Sequence, residues 1–131
     1  MKPGDIIGPY ELIRQLGAGA FGEVWLAKHL DLGEQWALKI PTDPHFVKQL
    51  RQEGQVQYRL HHPNIVETRD LNTRHDPPYF AMAYVEGRNL RSVLQARGKL
   101  PVEEALGIVR QVLLALNHAH EHKATQERGH L

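Results

Sequence analysis

The feature that most constrains this chain is a glycine-rich stretch, residues 16–24, with the sequence LGAGAFGEV. Gly17, Gly19 and Gly22 stand at the first, third and sixth positions of a G-x-G-x-x-G pattern. Because glycine has no Cβ atom and tolerates positive φ, such a loop can place backbone N–H groups against a phosphate chain. Several nucleotide-binding folds share this pattern, so the flanking segments have to distinguish them.

Strands are predicted on both sides of this loop. Residues 10–16 alternate loosely between apolar and polar, and residues 24–28 are rich in apolar and aromatic side chains. The loop therefore joins the two strands of a hairpin. A dinucleotide-binding unit would start a helix at Gly22, and a P-loop would continue with Gly-Lys-Ser/Thr, but this chain does neither. Both of those nucleotide-binding folds are excluded.

Lys39 lies on a third predicted strand, residues 35–40. With a period of two, it shares one face with Ala37, while the large apolar residues of the strand lie on the other face. The lysine either extends to water from a sheet edge or faces a cleft beside the glycine loop, where the small Ala37 leaves room for a flat ligand. The residues alone leave both interpretations open.

A helix is predicted to begin near Pro44, where Thr42 or Asp43 can cap it, and to run to about residue 60. Its apolar stripe contains a carboxylate, Glu53. Burying this group unpaired would be costly, so a buried Glu53 needs a cation, for which Lys39 is the natural candidate. A boundary position open to water is the alternative. The stripe consists of Phe46, Leu50, Glu53, Gln57 and Leu60.

Two strands and two helices are predicted after this helix. The strands cover residues 65–71 and 79–85, and a short helix follows at 90–97. The last helix, 101–122, is apolar around most of its circumference, and such a helix needs neighbours on several sides. Residues 123–131 show no periodicity, so we expect them to be frayed.

Histidines cluster at the end of the last helix. His118 and His122 lie four residues apart on one helix face, a spacing that could hold Zn²⁺ with further ligands. No third ligand class stands out nearby, and the chain has no cysteine. The sequence therefore predicts no metal site.

Charge and hydropathy exclude several other classes of partner. The chain has 131 residues, with 16 Lys+Arg against 15 Asp+Glu, so it has no overall field that would attract nucleic acid. The longest apolar region, about 105–119, is interrupted by polar residues and is not predicted to span a membrane. The first residues lack the apolar core of a signal peptide, and we expect a cytoplasmic chain.

Taken in order, these segments resemble the N-terminal part of a eukaryotic-type Ser/Thr protein kinase domain of the kind found in bacteria. Residues 16–24 are similar to the glycine-rich loop of that family, and residues 36–39 to its Val-Ala-Ile-Lys strand. Glu53, nine residues before His62, is spaced like the helix-C glutamate. Residues 79–87 resemble the last small-lobe strand and the hinge. The resemblance covers roughly residues 8–122.

The resemblance implies an α+β fold. Residues 1–9 would be an N-terminal extension, and residues 10–85 a kinase small lobe with a five-stranded antiparallel sheet and one packed helix. Residues 86–122 would form the hinge and two helices of an incomplete large lobe, followed by the frayed tail, 123–131.

The resemblance also assigns roles around ATP. The backbone of the glycine loop would cover the phosphates, while Lys39 would bind α- and β-phosphate oxygens and pair with Glu53. Leu16, Val24 and Ala37 would enclose the adenine, with Met82 at the back of the pocket. The Ala83 carbonyl and the Val85 amide would hydrogen-bond the adenine edge. The implied nucleotide-binding set is Leu16, Gly17, Ala18, Gly19, Ala20, Phe21, Gly22, Glu23, Val24, Ala37, Lys39, Met82, Ala83 and Val85.

The family also implies Mg²⁺, but its protein ligands and the catalytic base lie in His-Arg-Asp and Asp-Phe-Gly segments that these 131 residues do not contain. We therefore expect the ATP-binding portion of a Ser/Thr kinase, truncated before the catalytic loop and inactive alone. The protein substrate would belong to the complete enzyme. The alternatives are a pseudokinase-like module that binds a nucleotide, a partner or itself through the apolar last helix, and an active minimal kinase.

Overall fold

The computed structural model describes residues 1–129, with side chains for 1–123, and contains a six-stranded antiparallel sheet and three α-helices. The chain forms two compact units. The sheet unit comprises Met1–Arg59 and Val66–Tyr84, and the helical unit comprises Leu60–Ile65 and the described residues from Val85 onward. The elements are β1 (Ile6–Ile7), β2 (Tyr10–Gly19), β3 (Gly22–His29), β4 (Gln35–Pro41), α1 (Val47–Tyr58), β5 (Thr68–Asn72), β6 (Tyr79–Ala83), α2 (Leu90–Arg97) and α3 (Val102–Gly129).

The sheet has the strand order β1-β2-β3-β4-β6-β5, and every neighbouring pair is antiparallel. This confirms the predicted α+β class, with one strand more than the five expected. The additional strand is β1, which pairs Ile6 with Glu11 and Ile7 with Tyr10. Gly8, at φ 57°, turns the chain between the two strands. Two residues are too few to show an alternating pattern, so the sequence did not predict this strand.

The hydrophobic core lies on one face of the curled sheet. As the period of two predicted, Trp36, Leu38 and Ile40 of β4 all point into it. Each fully buried side chain of this size stabilises the fold by about 1.5–3 kcal/mol. The core cluster consists of Ile7, Tyr10, Leu12, Trp25, Ala27, Trp36, Leu38, Ile40, Tyr79 and Ala81.

A 3₁₀ turn at Pro44–Phe46 precedes α1, where the sequence predicted one continuous helix. The Asp43 carboxylate caps this turn by accepting a hydrogen bond from the His45 backbone N–H at 2.9 Å. This bond lowers the pKa of Asp43. Leu50 and Gly54 are the buried residues of α1. A Cβ atom on Gly54 would lie 3.0 Å from Leu71 Cδ2, so this glycine lets α1 approach β5 closely.

In the helical unit, α2 covers the predicted residues, Leu90–Arg97. Asn89 Oδ1 accepts a hydrogen bond from the Ser92 backbone N–H at 2.8 Å, and Gly98 ends the helix with φ 72°. The last helix, α3, continues to Gly129, beyond its predicted end at residue 122. Lys, Ala, Gln, Glu and Arg in this stretch have good helix propensity although they show no apolar period. The last two residues of the predicted tail lie outside the described part of the chain.

The turn between α1 and β5 belongs to the helical unit. The Ile65 backbone N–H donates to the His62 carbonyl at 3.1 Å, and Asn64 Nδ2 donates to the Gln111 carbonyl of α3 at 3.2 Å. These bonds explain why β5 begins at Thr68 and not at residue 65 as predicted. None of the described helices is both long and apolar enough to cross a membrane.

Candidate functional site

The glycine-rich stretch forms the tip of the β2–β3 hairpin. Only Ala20 and Phe21 lie between the two strands, because Gly19 pairs with Gly22 and Gly17 pairs with Val24. The pairing register shifts between Gln15 and Gly17, which places Leu16 at a bulge-like irregularity. The predicted hairpin is therefore present, and most of the predicted loop is strand.

Two glycines of the motif have different surroundings. Gly22 has φ 141°, and a Cβ atom there would collide with the Ile40 carbonyl oxygen and lie 2.7 Å from Pro41 Cα. Only glycine fits this position, where β3 meets the end of β4. A Cβ atom on Gly17 would meet no heavy atom within 4 Å. The backbone at Gly17 therefore has open space beside it, whereas Gly22 anchors the hairpin to the sheet.

The strand register brings the predicted adenine-facing residues onto one side of the sheet. Val24 lies opposite Lys39, and Ala37 lies opposite Met82. Directly opposite residues of an antiparallel pair share a face, and Ala37 and Lys39 share theirs by period two. This face is the reverse of the one that carries the hydrophobic core. On it, Val24, Ala37 and Met82 lie beside Lys39, and the buried Leu26 and Phe80 lie opposite Ala37 and Lys39.

Lys39 and Glu53 are joined by a bidentate contact. Lys39 Nζ donates to Glu53 Oε1 at 3.0 Å and to Oε2 at 3.1 Å. The buried Leu50 and Gly54 fix α1 against the sheet unit and so position Glu53 over β4. The side chains are 20% and 44% exposed, respectively, and a pair this exposed stabilises a fold by about 0–1 kcal/mol. The contact therefore does more to orient the lysine than to hold the fold together.

Phe21, at the turn of the hairpin, places its ring centroid 4.7 Å from Lys39 Nζ. The lysine ammonium thus has two neighbours, the Glu53 carboxylate and the face of an aromatic ring. The sequence included Phe21 in the glycine-rich stretch but carried no signal for its orientation towards Lys39. A contact of this kind depends on tertiary placement and leaves no local pattern.

Gln57 and Glu23 are polar members of the predicted pattern that find hydrogen-bond partners. Gln57 Nε2 donates to the Val66 carbonyl at 2.8 Å, which fastens the end of α1 to the chain leading into β5. Glu23 Oε1 accepts from Gln15 Nε2 at 3.2 Å across the hairpin.

The remaining predicted residues are at the edges of the site or on the helical unit. Ala18 and Ala20 are exposed on the hairpin. Ala83 ends β6 opposite Trp36, and its backbone N–H donates to the Glu67 carbonyl at 2.8 Å. Val85 belongs to the helical unit and is 69% exposed.

No group of three or more His, Cys, Asp or Glu side chains that could hold a metal ion occurs among the described residues. Within the helical unit, the rings of His118 and His62 have centroids 5.2 Å apart. In chemical terms the sheet-unit site offers a backbone with open space beside Gly17, one oriented cation and apolar side chains. These are the groups that an anionic ligand with a flat apolar part would use.

Comparisons with known proteins point to one family. The family model described as the protein kinase domain matches residues 10–125. The chain is 37% identical over 123 residues to the serine/threonine-protein kinase PrkC of Bacillus subtilis, which covers 90% of this chain and 19% of that protein. It is 35% identical over 124 residues to the serine/threonine-protein kinase PknH of Mycobacterium tuberculosis, covering 91% of this chain and 20% of PknH.

The fold comparison points to the same family. A crystal structure of the Mycobacterium tuberculosis PknI kinase domain superposes with a TM-score of 0.78 at 34% identity, covering 93% of this chain and 51% of that one. The chain thus spans about half of the solved kinase domain and about a fifth of the curated relatives. From the match over residues 10–125, this chain belongs to the protein kinase domain family.

Proposed function

We propose that this chain is the ATP-binding part of a Ser/Thr protein kinase, an enzyme that transfers a phosphoryl group from ATP to protein hydroxyls. The observation that carries the proposal is the Lys39–Glu53 contact, with Nζ 3.0 Å from Oε1, on the face of β4 beside the glycine-rich hairpin. A carboxylate at this position holds the lysine side chain in one orientation, in which its ammonium can bind phosphate oxygens.

The sheet-unit residues fit the chemistry of ATP. The open space beside Gly17 leaves room for phosphates against the backbone, and Lys39 supplies a positive charge that is 20% exposed. Leu16, Val24 and Ala37 would enclose the adenine, with Met82 behind it and the Ala83 carbonyl at its edge. Mg²⁺, as in the family, would neutralise phosphate charge when bound.

Nucleotide binding is tested by thermal unfolding of the chain with and without ATP and Mg²⁺. A ligand at one hundred times its Kd stabilises the folded state by about 2.7 kcal/mol. We expect a rise in Tm at millimolar ATP that Lys39→Met abolishes. Lys28→Met is the matched control, because Lys28 is an exposed lysine of the neighbouring strand β3, and it should leave the rise intact. An unchanged Tm at millimolar ATP would contradict the proposal.

We also propose that these 131 residues do not transfer phosphate by themselves. The support is that they contain no His-Arg-Asp or Asp-Phe-Gly segment, and that no carboxylate cluster for a metal forms among the described side chains. Incubation with ³²P-labelled ATP and a generic protein substrate should give no labelled product. Transfer that disappears with Lys39→Met would overturn this part of the proposal and identify an active minimal kinase.

A non-catalytic binding module is the second candidate. It is favoured by the apolar side chains along α3, which include Val102, Leu106 and Leu113 with exposed fractions of 74%, 62% and 59%. Such a surface is typical of an interaction site. Sedimentation of the chain over a range of concentrations would test self-association, which should be weakened by replacing Leu106 and Leu113 with serine. A monomer at all concentrations would argue against self-association through α3.

A further inference from the structure

The aromatic ring of Phe21 lies next to Lys39, in the space where the proposed function would put the phosphates of ATP. Its centroid lies 4.7 Å from Lys39 Nζ, within the range of about 6 Å over which a cation is attracted to a ring face. Lys39 Nζ also donates to both Glu53 oxygens. The ammonium is thus engaged on two sides by groups of the chain itself.

Two glycines make this position of the ring possible. A Cβ atom on Gly19 would lie 3.1 Å from Phe21 Cε1 and 3.4 Å from Cδ1, so the ring packs closely over the Gly19 backbone and a larger residue there would push it aside. Gly22, on the other side of Phe21, is anchored against Ile40 and Pro41 of β4. The hairpin is therefore fixed to β4 at Gly22, while Gly19 leaves room for the Phe21 ring.

The ring also closes a small cavity around the ion pair. Phe21, Lys39 and Glu53 line it together with Phe46 and Leu50, which lie just before and within α1. Phe21 is only partly buried. A ring held by one cation–π contact and a few apolar neighbours can move aside, since an exposed contact of this kind contributes little free energy.

We propose that Phe21 is a gate over Lys39, meaning that its ring competes with the phosphates of a nucleotide for the lysine ammonium. The inference rests on the proposed function, because it concerns the same site. It makes Phe21 a residue that weakens binding of phosphate-bearing nucleotides and leaves adenosine, which has no phosphate to compete for Lys39, unaffected.

The first test compares nucleotide affinities of the full 131-residue chain and two variants. Phe21→Ala removes the ring, and Phe21→Leu keeps apolar bulk but removes the aromatic face. Both should bind ATP and ADP about two- to fivefold more tightly, the equivalent of one exposed cation–π contact, with adenosine affinity unchanged. Weaker or equal ATP binding in Phe21→Ala would overturn the gate, as would equal tightening for adenosine. Circular dichroism establishes that each variant is folded.

The second test does not depend on nucleotide binding. Lys39 is acetylated with acetic anhydride in the absence of nucleotide, and its rate is measured by peptide mass spectrometry against Lys28 and Lys48, exposed lysines of the same chain. Phe21→Ala and Phe21→Leu should each accelerate labelling of Lys39 about two- to fivefold relative to these references. An unchanged ratio would overturn the gate, and so would slow labelling retained in Phe21→Leu. If no variant binds nucleotide, the proposed function fails, while this ratio still decides whether the ring covers the lysine.

Discussion

The sheet unit and the helical unit differ most in what they do with apolar side chains. Every buried hydrophobic residue of the described chain, from Ile7 to Ala81, belongs to the sheet unit. Among the described side chains of the helical unit none is buried. Its exposed large apolar residues are Val85, Leu90, Leu94, Val102, Leu106, Val109, Val112, Leu113, Leu114 and Leu116.

This difference indicates where the folding free energy of the chain resides. Burial of apolar surface is the main stabilising contribution, at about 25 cal/mol per Å². Helices without a packed apolar face are marginal in water, because their stability comes mostly from tertiary contacts. The sheet unit, which also carries the Lys39–Glu53 contact, therefore has the means to hold that site in place. The helical unit depends on capping and local ion pairs.

The largest expected effect comes from truncating a core leucine. Leu38 has no exposed surface and lies in the core cluster, so Leu38→Ala should lower the free energy of unfolding by about 2–5 kcal/mol. Leu113→Ala on α3, where the leucine is 59% exposed, should change it by no more than about 0.5 kcal/mol. Urea denaturation followed by tryptophan fluorescence measures both, because Trp25 and Trp36 lie in the sheet unit.

The same pair of variants can break the comparison. If Leu113→Ala lowered the stability reported by the two tryptophans as much as Leu38→Ala does, the two units would not differ as described. Far-UV circular dichroism of each variant gives the helical content in parallel. It shows whether a loss occurs in α3 without affecting the sheet unit.

A smaller effect, within the candidate site, distinguishes two glycines of one motif. Gly22→Ala forces a side chain onto a φ of 141° and against the Ile40 carbonyl, and should cost about 1–3 kcal/mol. Gly17→Ala has open space and should be neutral or slightly stabilising, because alanine loses less backbone entropy. Equal destabilisation by both changes would mean that Gly17 is packed as closely as Gly22.

Elements set by interactions between residues close in the sequence were predicted well, and those set by interactions with distant residues were not. The bounds of α2 were predicted because Asn89 and Gly98 are local signals that act within one helical turn. The start of β5 was not, since the turn at 62–65 is held by hydrogen bonds that include one from Asn64 to Gln111, far along the chain. By propensity alone Gly54 weakens its helix, and only the tertiary structure shows that it allows α1 to contact Leu71.

The candidate site likewise contains one contact that the sequence could suggest and one that it could not. From the residues alone, Lys39 was the natural cation for a buried Glu53, and a boundary position open to water was the alternative. The structure pairs the two groups and leaves the Glu53 side chain 44% exposed. The family resemblance independently suggested the pair. The contact between Phe21 and Lys39 could not be anticipated, because the direction of a ring at a hairpin tip depends on what lies beneath it. Gly19 permits this orientation but does not require it.

At alkaline pH the sheet unit should lose stability through Tyr10. Burial, and next the Asp70 carboxylate, raise the pKa of Tyr10 to about 12, from an ordinary value of 10.0. The folded state therefore holds the phenol proton more tightly than the unfolded state, and this stabilisation is lost as the pH rises from 10 to 12. Tyr10→Phe should lose less stability over that interval in urea denaturation. Parallel losses in both proteins would exclude Tyr10 as the cause.

The smallest effect is expected in the helical unit, at acid pH. Arg97 donates to Glu104 through two hydrogen bonds of 2.7 and 2.9 Å, which link the end of α2 to the start of α3. These bonds lower the pKa of Glu104 below its ordinary value of 4.5. The stabilisation they give is present at neutral pH and is lost as the pH falls below 4.5, through the pKa of the folded state.

Because both groups are on the surface, this loss should be hard to see in global unfolding and is better followed at the carboxyl itself. In an NMR titration of the Glu104 carboxyl carbon, Arg97→Gln should raise the midpoint towards that of a free glutamate. An identical midpoint in the variant would mean that the pair does not persist in solution. The helical unit would then lack one of its few stabilising contacts, and the difference in stability between the two units would be larger.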